Sequence, residues 1–182
     1  WAQHPLLYGK RPMWFFEEGR HQGTINDLAI HGIDIVPWLT GKRLDGIVAA
    51  RAWNAKIKQH PRFQDGAMLV FRLENGATVM GDVSYLSSDR HGYSMLPYWR
   101  FTISGTDGVL ETACNEPVVR LWRHDTENVI EEPVASDRKG GYFEDFLAEL
   151  SGKPNPDGLT TDRILESSRW ALDAQQMADR EV

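Results

Sequence analysis

The stretch "GTINDLAIHGIDIVPWLTG", residues 23–41, has to bury Ile25, Leu28, Ile33, Ile35, Val36 and Leu39 while carrying Asp27, His31 and Asp34. Its period predicts a helix over 24–40. With Asp27 set at zero on a helical wheel, His31 falls at about 40°, Asp34 at about −20° and Trp38 at about 20°. The aliphatic side chains occupy a separate, broader arc, from about 80° to 240°. Thr24 is the expected N-cap, and Asp27 sits in the first turn, where a carboxylate suits the positive helix end. Pro37 removes one backbone donor from the last turn, and Gly41 is the expected stop.

Two readings of the narrow polar face stand side by side. In the structural one, Asp27 holds His31 one turn on, and Asp34 bonds a loop. In the catalytic one, the carboxylate fixes the imidazole's tautomer and raises its basicity for acid–base work. Helix period does not separate them.

The rest of the chain narrows the field. Its 182 residues suit one domain, 1–182, with a real core. A net charge of −6, without a basic cluster, argues against nucleic acid and anionic membrane surfaces as partners. No apolar run approaches the ~18 residues of a membrane span. The start, "WAQHPLLYGK", is not a signal peptide and lacks an initiator Met, so a fragment or processed piece is expected. The single Cys114 cannot form an internal disulfide, which fits a reducing cytoplasm, and its strand-like surroundings suggest buried filler.

Residues 1–22 read as loop. From about residue 46 to 134 the pattern is of roughly seven strands with tight turns. Asn75-Gly76 and Asp107-Gly108 mark hairpins. Two closing helices are expected at about 141–151 and 160–180, with "SGKPNPDGL" as the turn between them. The class is α+β: a large, open, mainly antiparallel sheet with helices on one face. Val70, Phe71, Val79, Met80 and Phe101 place apolar residues at successive strand positions. Both sheet faces are then expected to be covered, hence a homo-oligomer through the sheet.

In this order and spacing, three stretches resemble the C-terminal domain of the Gfo/Idh/MocA family of sugar and cyclitol oxidoreductases. "GTINDLAIHGIDIVPWLTG" resembles the family's Gly-x-x-x-Asp-x-x-x-His-x-x-Asp helix. "ISGTDGVLE" at 103–111 resembles its Gly-Thr-x-Gly hairpin, and "FEDFLAELSGKPNPDGLTTDRILESSRWALDA" its closing helices. The resemblance implies an open antiparallel sheet with helices on one face. It also implies catalytic roles for Asp27 and His31, together with a lysine from a preceding Rossmann domain that binds NAD or NADP. His31 would take the substrate's hydroxyl proton, Asp27 would orient it or hold the hydroxyl, and Asp34 would support them from behind. The substrate would be a small carbohydrate or polyol.

The departures matter too. No Gly-x-Gly-x-x-Gly follows a strand in these residues, and "GKP" at 152–154 is a turn rather than the family's Glu-Lys-Pro. No cofactor-binding residue is therefore assigned, and the chain is not expected to transfer hydride alone. Where the family has glycines before the helix, this sequence has "HQG", which points His21 at the pocket mouth. Trp14 offers an indole wall for a sugar's C–H surface. Arg11, with Lys10 and Arg20, offers positive charge for a carboxylate or phosphate. The long loop 87–99 adds His91 and Tyr93. Against these stand core packing for Trp14 and plain surface roles for the rest. A metal held by His21, Asp27, His31 and Asp34 has the right donors but is not assigned, because the resemblance explains the same residues without one. Two further functions remain: a relative using NAD transiently for hydrolysis or epimerisation, and a non-catalytic carbohydrate-binding or assembly module.

Overall fold

The computed structural model describes residues 1–21, 23–95, 98–135, 141–155 and 158–180. Of the stretches quoted above, Gln22, Leu96, Pro97, Pro156 and Asp157 lie outside these. The architecture is α+β, with two four-stranded sheets and three α-helices among the described residues. The first sheet runs β1 (Ala2–Pro5), β4 (Thr78–Ser87), β3 (Gly66–Leu73), β2 (Leu44–Trp53). The second runs β5 (Arg100–Ser104), β6 (Gly108–Ala113), β7 (Val118–Arg123), β8 (Ile130–Pro133). Trp1 and Arg100 exchange backbone hydrogen bonds of 2.8 and 3.0 Å where β1 meets β5, which joins the two sheets.

All pairings are antiparallel except β1 on β4. That strand lies in the segment expected to be loop, which also holds a 3₁₀ turn, Met13–Phe16. Four residues are too few to show a strand's alternation, and β1 is fixed by its partner rather than by its own pattern. At Asn75-Gly76 the turn is one residue longer than expected. Leu73 bonds Ala77, and Gly76 adopts φ 84°, the left-handed residue of a three-residue hairpin.

The helix of the opening stretch is not α-helical throughout. Ile25–Ala29 forms a π-turn, with the Ile30 amide bonded to the carbonyl of Ile25 five residues back, and α1 (Ile30–Thr40) follows. Gly41 closes α1 in the left-handed conformation, bonded to Pro37 O. Ile25, Leu28 and Ile33 are buried, and Ile35 and Val36 partly so. Leu39 is 43% exposed, against expectation. The extra residue of the π-turn rotates the helix, so the straight wheel overstates the width of the buried face. Thr24 does not cap either: it is buried, helical, and donates its hydroxyl to Gln64 O.

The helix packs on α3 (Thr161–Asp179), and α3 packs on β2. Ala171, Ala174 and Ala178 lie on one stripe of α3 and are fully buried, so small side chains allow the close approach. Across from them are Leu69, Phe71, Val83 and Tyr85 of the first sheet. Burying one such large apolar side chain contributes about 1.5–3 kcal/mol. α2 (Tyr142–Leu150) is tied down at Asp145, whose carboxylate accepts from the Leu159 amide at 2.7 Å.

Gly23 introduces the helix at φ +89°, and a Cβ there would stand 2.2 Å from Gln175 Oε1 of α3. A left-handed L-residue costs about 1–2 kcal/mol before any clash. Gly23→Ala is therefore expected to destabilise the domain by roughly 1–3 kcal/mol. A urea melt read by tryptophan fluorescence checks this.

Candidate functional site

Five polar side chains gather around the π-turn: His4 from β1, Arg11 and His21 from the following loop, and Asp27 and His31 from the helix. Their charges act on one another at His4 and at Asp27. The aromatic rings between them come from every neighbouring element. Tyr85 of β4 packs against His4, Phe15 and His21, and His31 meets Trp99 edge-on at 5.7 Å.

Asp27 takes its hydrogen bond from His21, not from His31. His21 Nε2 stands 3.5 Å from Asp27 Oδ2, a long contact. Burial alone would raise the Asp27 pKa. The His21 hydrogen bond and the charges of His21, Arg11 and His31 outweigh that and hold it below the usual carboxylate value. His21 lines a cavity with Phe63 and Gln175, and its side chain is 6% exposed, packed among the rings of Phe15, Phe63 and Tyr85. His31 is exposed, and among the described residues its ring contact is a T-shaped one with Trp99. The result is an imidazole–carboxylate pair whose imidazole is covered and whose carboxylate is 43% exposed, with a second, accessible imidazole beside it. Such a site can orient a hydroxyl and move its proton.

Asp34 does something different. Its carboxylate takes a two-pronged bond from Arg163 of α3, at 2.8 and 2.7 Å, and a third from Ser167 Oγ at 3.1 Å. It ties two helices together. Because hydrogen bonds to charged groups are worth about 1.5–3 kcal/mol, Asp34→Ala is expected to lower stability by about 2–3 kcal/mol. Chemical denaturation of the two proteins side by side measures it.

The remaining candidates divide between that group and the surface. Tyr93 lies within the aromatic cluster, 6.1 Å from the His4 ring and 5.0 Å from Tyr98. Trp14 is 51% exposed and touches Phe15, one ring removed from the cluster. His91 is exposed and bonds Ser88 Oγ at 2.9 Å, so the structure does not bring it into the group. Arg11 lies over the rings of Phe15 and Tyr85. Among the described residues no set of three His, Cys, Asp or Glu side chains is placed to hold a metal ion. None of the described helices is long and apolar enough to cross a membrane. Cys114 is exposed just past β6 rather than buried, because the strand ends before it. Partial burial of its thiol still raises the pKa, which works against a nucleophilic thiolate.

Sequence reasoning missed His4, Tyr85, Trp99 and the π-turn. His4 is brought in by the parallel pairing of β1 with β4, for which no local signal exists. Burial lowers its pKa to about 4, against the pull of Asp27 and with help from the charges of Arg11 and His31. The rings of Tyr85, Tyr93, Tyr98 and Trp99 surround it. His4 is therefore neutral at pH 7. On acidification the unfolded chain takes this proton near the ordinary value of 6.5, while the folded chain resists to about 4. Stability should thus fall as pH drops through that window, and His4→Gln should flatten the fall. Melting temperatures across the window test it.

The comparisons with known proteins now bear on this geometry. The GFO/IDH/MocA C-terminal domain family matches residues 1–111. A protein of Thermotoga maritima assigned as an oxidoreductase superposes with a TM-score of 0.80 at 27% identity, over 99% of this chain and 51% of its own. Another, from Erwinia carotovora atroseptica, gives 0.82 at 25% identity, over 97% and 54%. The transcriptional regulator Gal80p of Kluyveromyces lactis shares the fold at a TM-score of 0.65 and 14% identity, over 99% and 49%, a likeness that speaks to fold alone. A search of curated proteins finds no match. The chain spans about half the length of the solved relatives it matches. With the family matched over residues 1–111 of 182 and the fold shared nearly end to end, this chain belongs to the GFO/IDH/MocA family of oxidoreductases, as its C-terminal domain.

Proposed function

We propose that this chain is the substrate-binding and acid–base half of an NAD(P)-dependent oxidoreductase acting on a secondary alcohol of a sugar, polyol or cyclitol. The observation that carries the reading is the convergence of His4, Arg11, His21, Asp27 and His31 around one π-turn, a feature often found at functional sites. These donors fit the alcohol end of the reaction. They do not fit the dinucleotide's phosphates, for which the sequence has no glycine-rich cradle. When bound, mainly by a Rossmann domain outside these residues, the nicotinamide supplies the hydride acceptor or donor.

In this reading, the chain's own groups handle the proton. His31, exposed at the rim, accepts the hydroxyl proton as the carbinol hydride leaves and returns it in reverse. Asp27, held anionic beside His21, fixes the hydroxyl. Trp14 and Tyr93 wall the approach with apolar surface for the sugar's C–H face. The test is a panel of aldoses, polyols and cyclitols offered to the full-length protein with NAD and NADP, followed by nicotinamide reduction. Turnover of at least one secondary alcohol is expected, and none across the panel would contradict the reading.

The same proposal includes a homo-oligomer through the first sheet. Val48, Met68, Met80 and Leu86 expose apolar surface on strands β2 to β4, Met80 at 82%. Light scattering at tens of micromolar protein is expected to give at least a dimer mass, with a monomer mass the contrary result.

A further inference from the structure

Arg11 is held in an unusual way for an arginine. Its Nε donates to Leu6 O at 3.0 Å, and its guanidinium carbon lies 4.6 Å from the centre of the Phe15 ring and 5.2 Å from that of Tyr85. Two aromatic faces and one backbone bond thus fix the group in place. Yet no acidic side chain lies within ion-pair distance of it, and its terminal nitrogens have no hydrogen-bond partner among the described residues. Its charge is felt at His4 and at Asp27, so it belongs to the candidate site rather than to open surface. Below it the wall is also short of partners: His4 Nε2 and Tyr85 Oη are buried with no hydrogen bond among the described residues. Buried polar groups are nearly always paired, so these mark a place finished by polar atoms from elsewhere.

We propose that Arg11 is the anion-recognition residue of the site, and that the substrate is a sugar acid or other hydroxy acid whose carboxylate takes the two free terminal nitrogens of the guanidinium. The inference rests on the oxidoreductase reading above and narrows its substrate class. A planar carboxylate matches the fork of one guanidinium. A phosphate dianion fits less well, because Asp27 is itself negative and among the described residues no second Arg or Lys is fixed beside Arg11. Stacking on Phe15 and Tyr85 fixes the orientation, so lysine, a mobile point charge, would not replace arginine here.

The experiment uses the full-length protein and matched probes: D-glucuronate, D-galacturonate and D-gluconate against D-glucose, D-galactose and D-glucitol. Binding is read by calorimetry and turnover by nicotinamide reduction. At least one acid is expected to bind or react ~10- to 100-fold better than its neutral counterpart, the range for a charge-assisted bond. Arg11→Gln should shrink that ratio toward one, and Arg11→Lys should restore only part of it. Melting temperatures identify any variant that fails to fold, and the comparison of probes in the unaltered protein stands without variants. Acid-selective binding lost in Arg11→Gln, but without turnover, would support the anion site while removing the dehydrogenase reading. Turnover of neutral sugars with no preference for acids would overturn the anion site and leave the dehydrogenase reading in place. A preference for acids that survives Arg11→Gln in a folded protein would overturn the role of Arg11.

Discussion

On the proposed function, His31→Ala in the full-length protein is expected to slow turnover by at least ~100-fold while leaving the melting temperature nearly unchanged. A positioned acid–base group typically supplies ~10²–10⁴-fold in rate. The structural loss is small because His31 is exposed and meets Trp99 through a single T-shaped ring contact. Removing an exposed ring of that kind changes stability by about 0.5 kcal/mol or less. The two observables therefore separate. Steady-state kinetics and thermal melts on the same preparations would show a large kinetic loss without a thermal one. A clear thermal loss with activity per folded molecule preserved would return His31 to scaffolding.

Asp65→Ala is expected to be the most destabilising single substitution near the site, by about 3–5 kcal/mol. Asp65 is fully buried at the head of β3, and its carboxylate accepts from three consecutive backbone amides. These are Ala55 at 2.7 Å, Lys56 at 2.6 Å and Ile57 at 3.1 Å. Truncation orphans three donors, of which the Ile57 amide is buried, and a buried unpaired group costs about 1–3 kcal/mol. The loop that Asp65 organises also presents Phe63 to His21 and the Gln64 carbonyl to Thr24. Loss of stability should therefore be accompanied by weaker substrate binding in whatever fraction still folds. Urea denaturation gives the first quantity and calorimetric titration the second.

How much of this could be read from the sequence depends on the range of each interaction. The closing helices were legible because their signals are local. The pattern placed them near 141–151 and 160–180, close to Tyr142–Leu150 and Thr161–Asp179. Gly41 and the Asn75-Gly76 hairpin carry their conformations in their own residue types. The α+β class followed from the same kind of evidence. The split into two sheets did not, since it depends on where β1 inserts and on one pair of bonds between Trp1 and Arg100. At the site, the wheel grouped Asp27 with His31 but could not reveal the π-turn, because the inserted residue changes the period without changing the composition. It also could not show that His21 bonds Asp27, a contact set by the chain's entry into the helix. Asp34 shared the polar face on the wheel, yet its partner, Arg163, lies 129 residues away in sequence. His4 and Tyr85 became visible only once β1 and β4 were side by side.

The central claim is that the helix carries one acid–base unit, with His31 moving the proton and Asp27 supporting it. The direct measurement is a double-mutant cycle on single-turnover nicotinamide reduction in the full-length protein, using Asp27→Asn, His31→Ala and the pair. Groups that act as a unit are strongly non-additive. The double variant is predicted to be about as slow as His31→Ala alone, at least ~100-fold below the unsubstituted enzyme. Effects that multiply independently, or a double variant within about twofold of the unsubstituted rate against that acid–base magnitude, would contradict it.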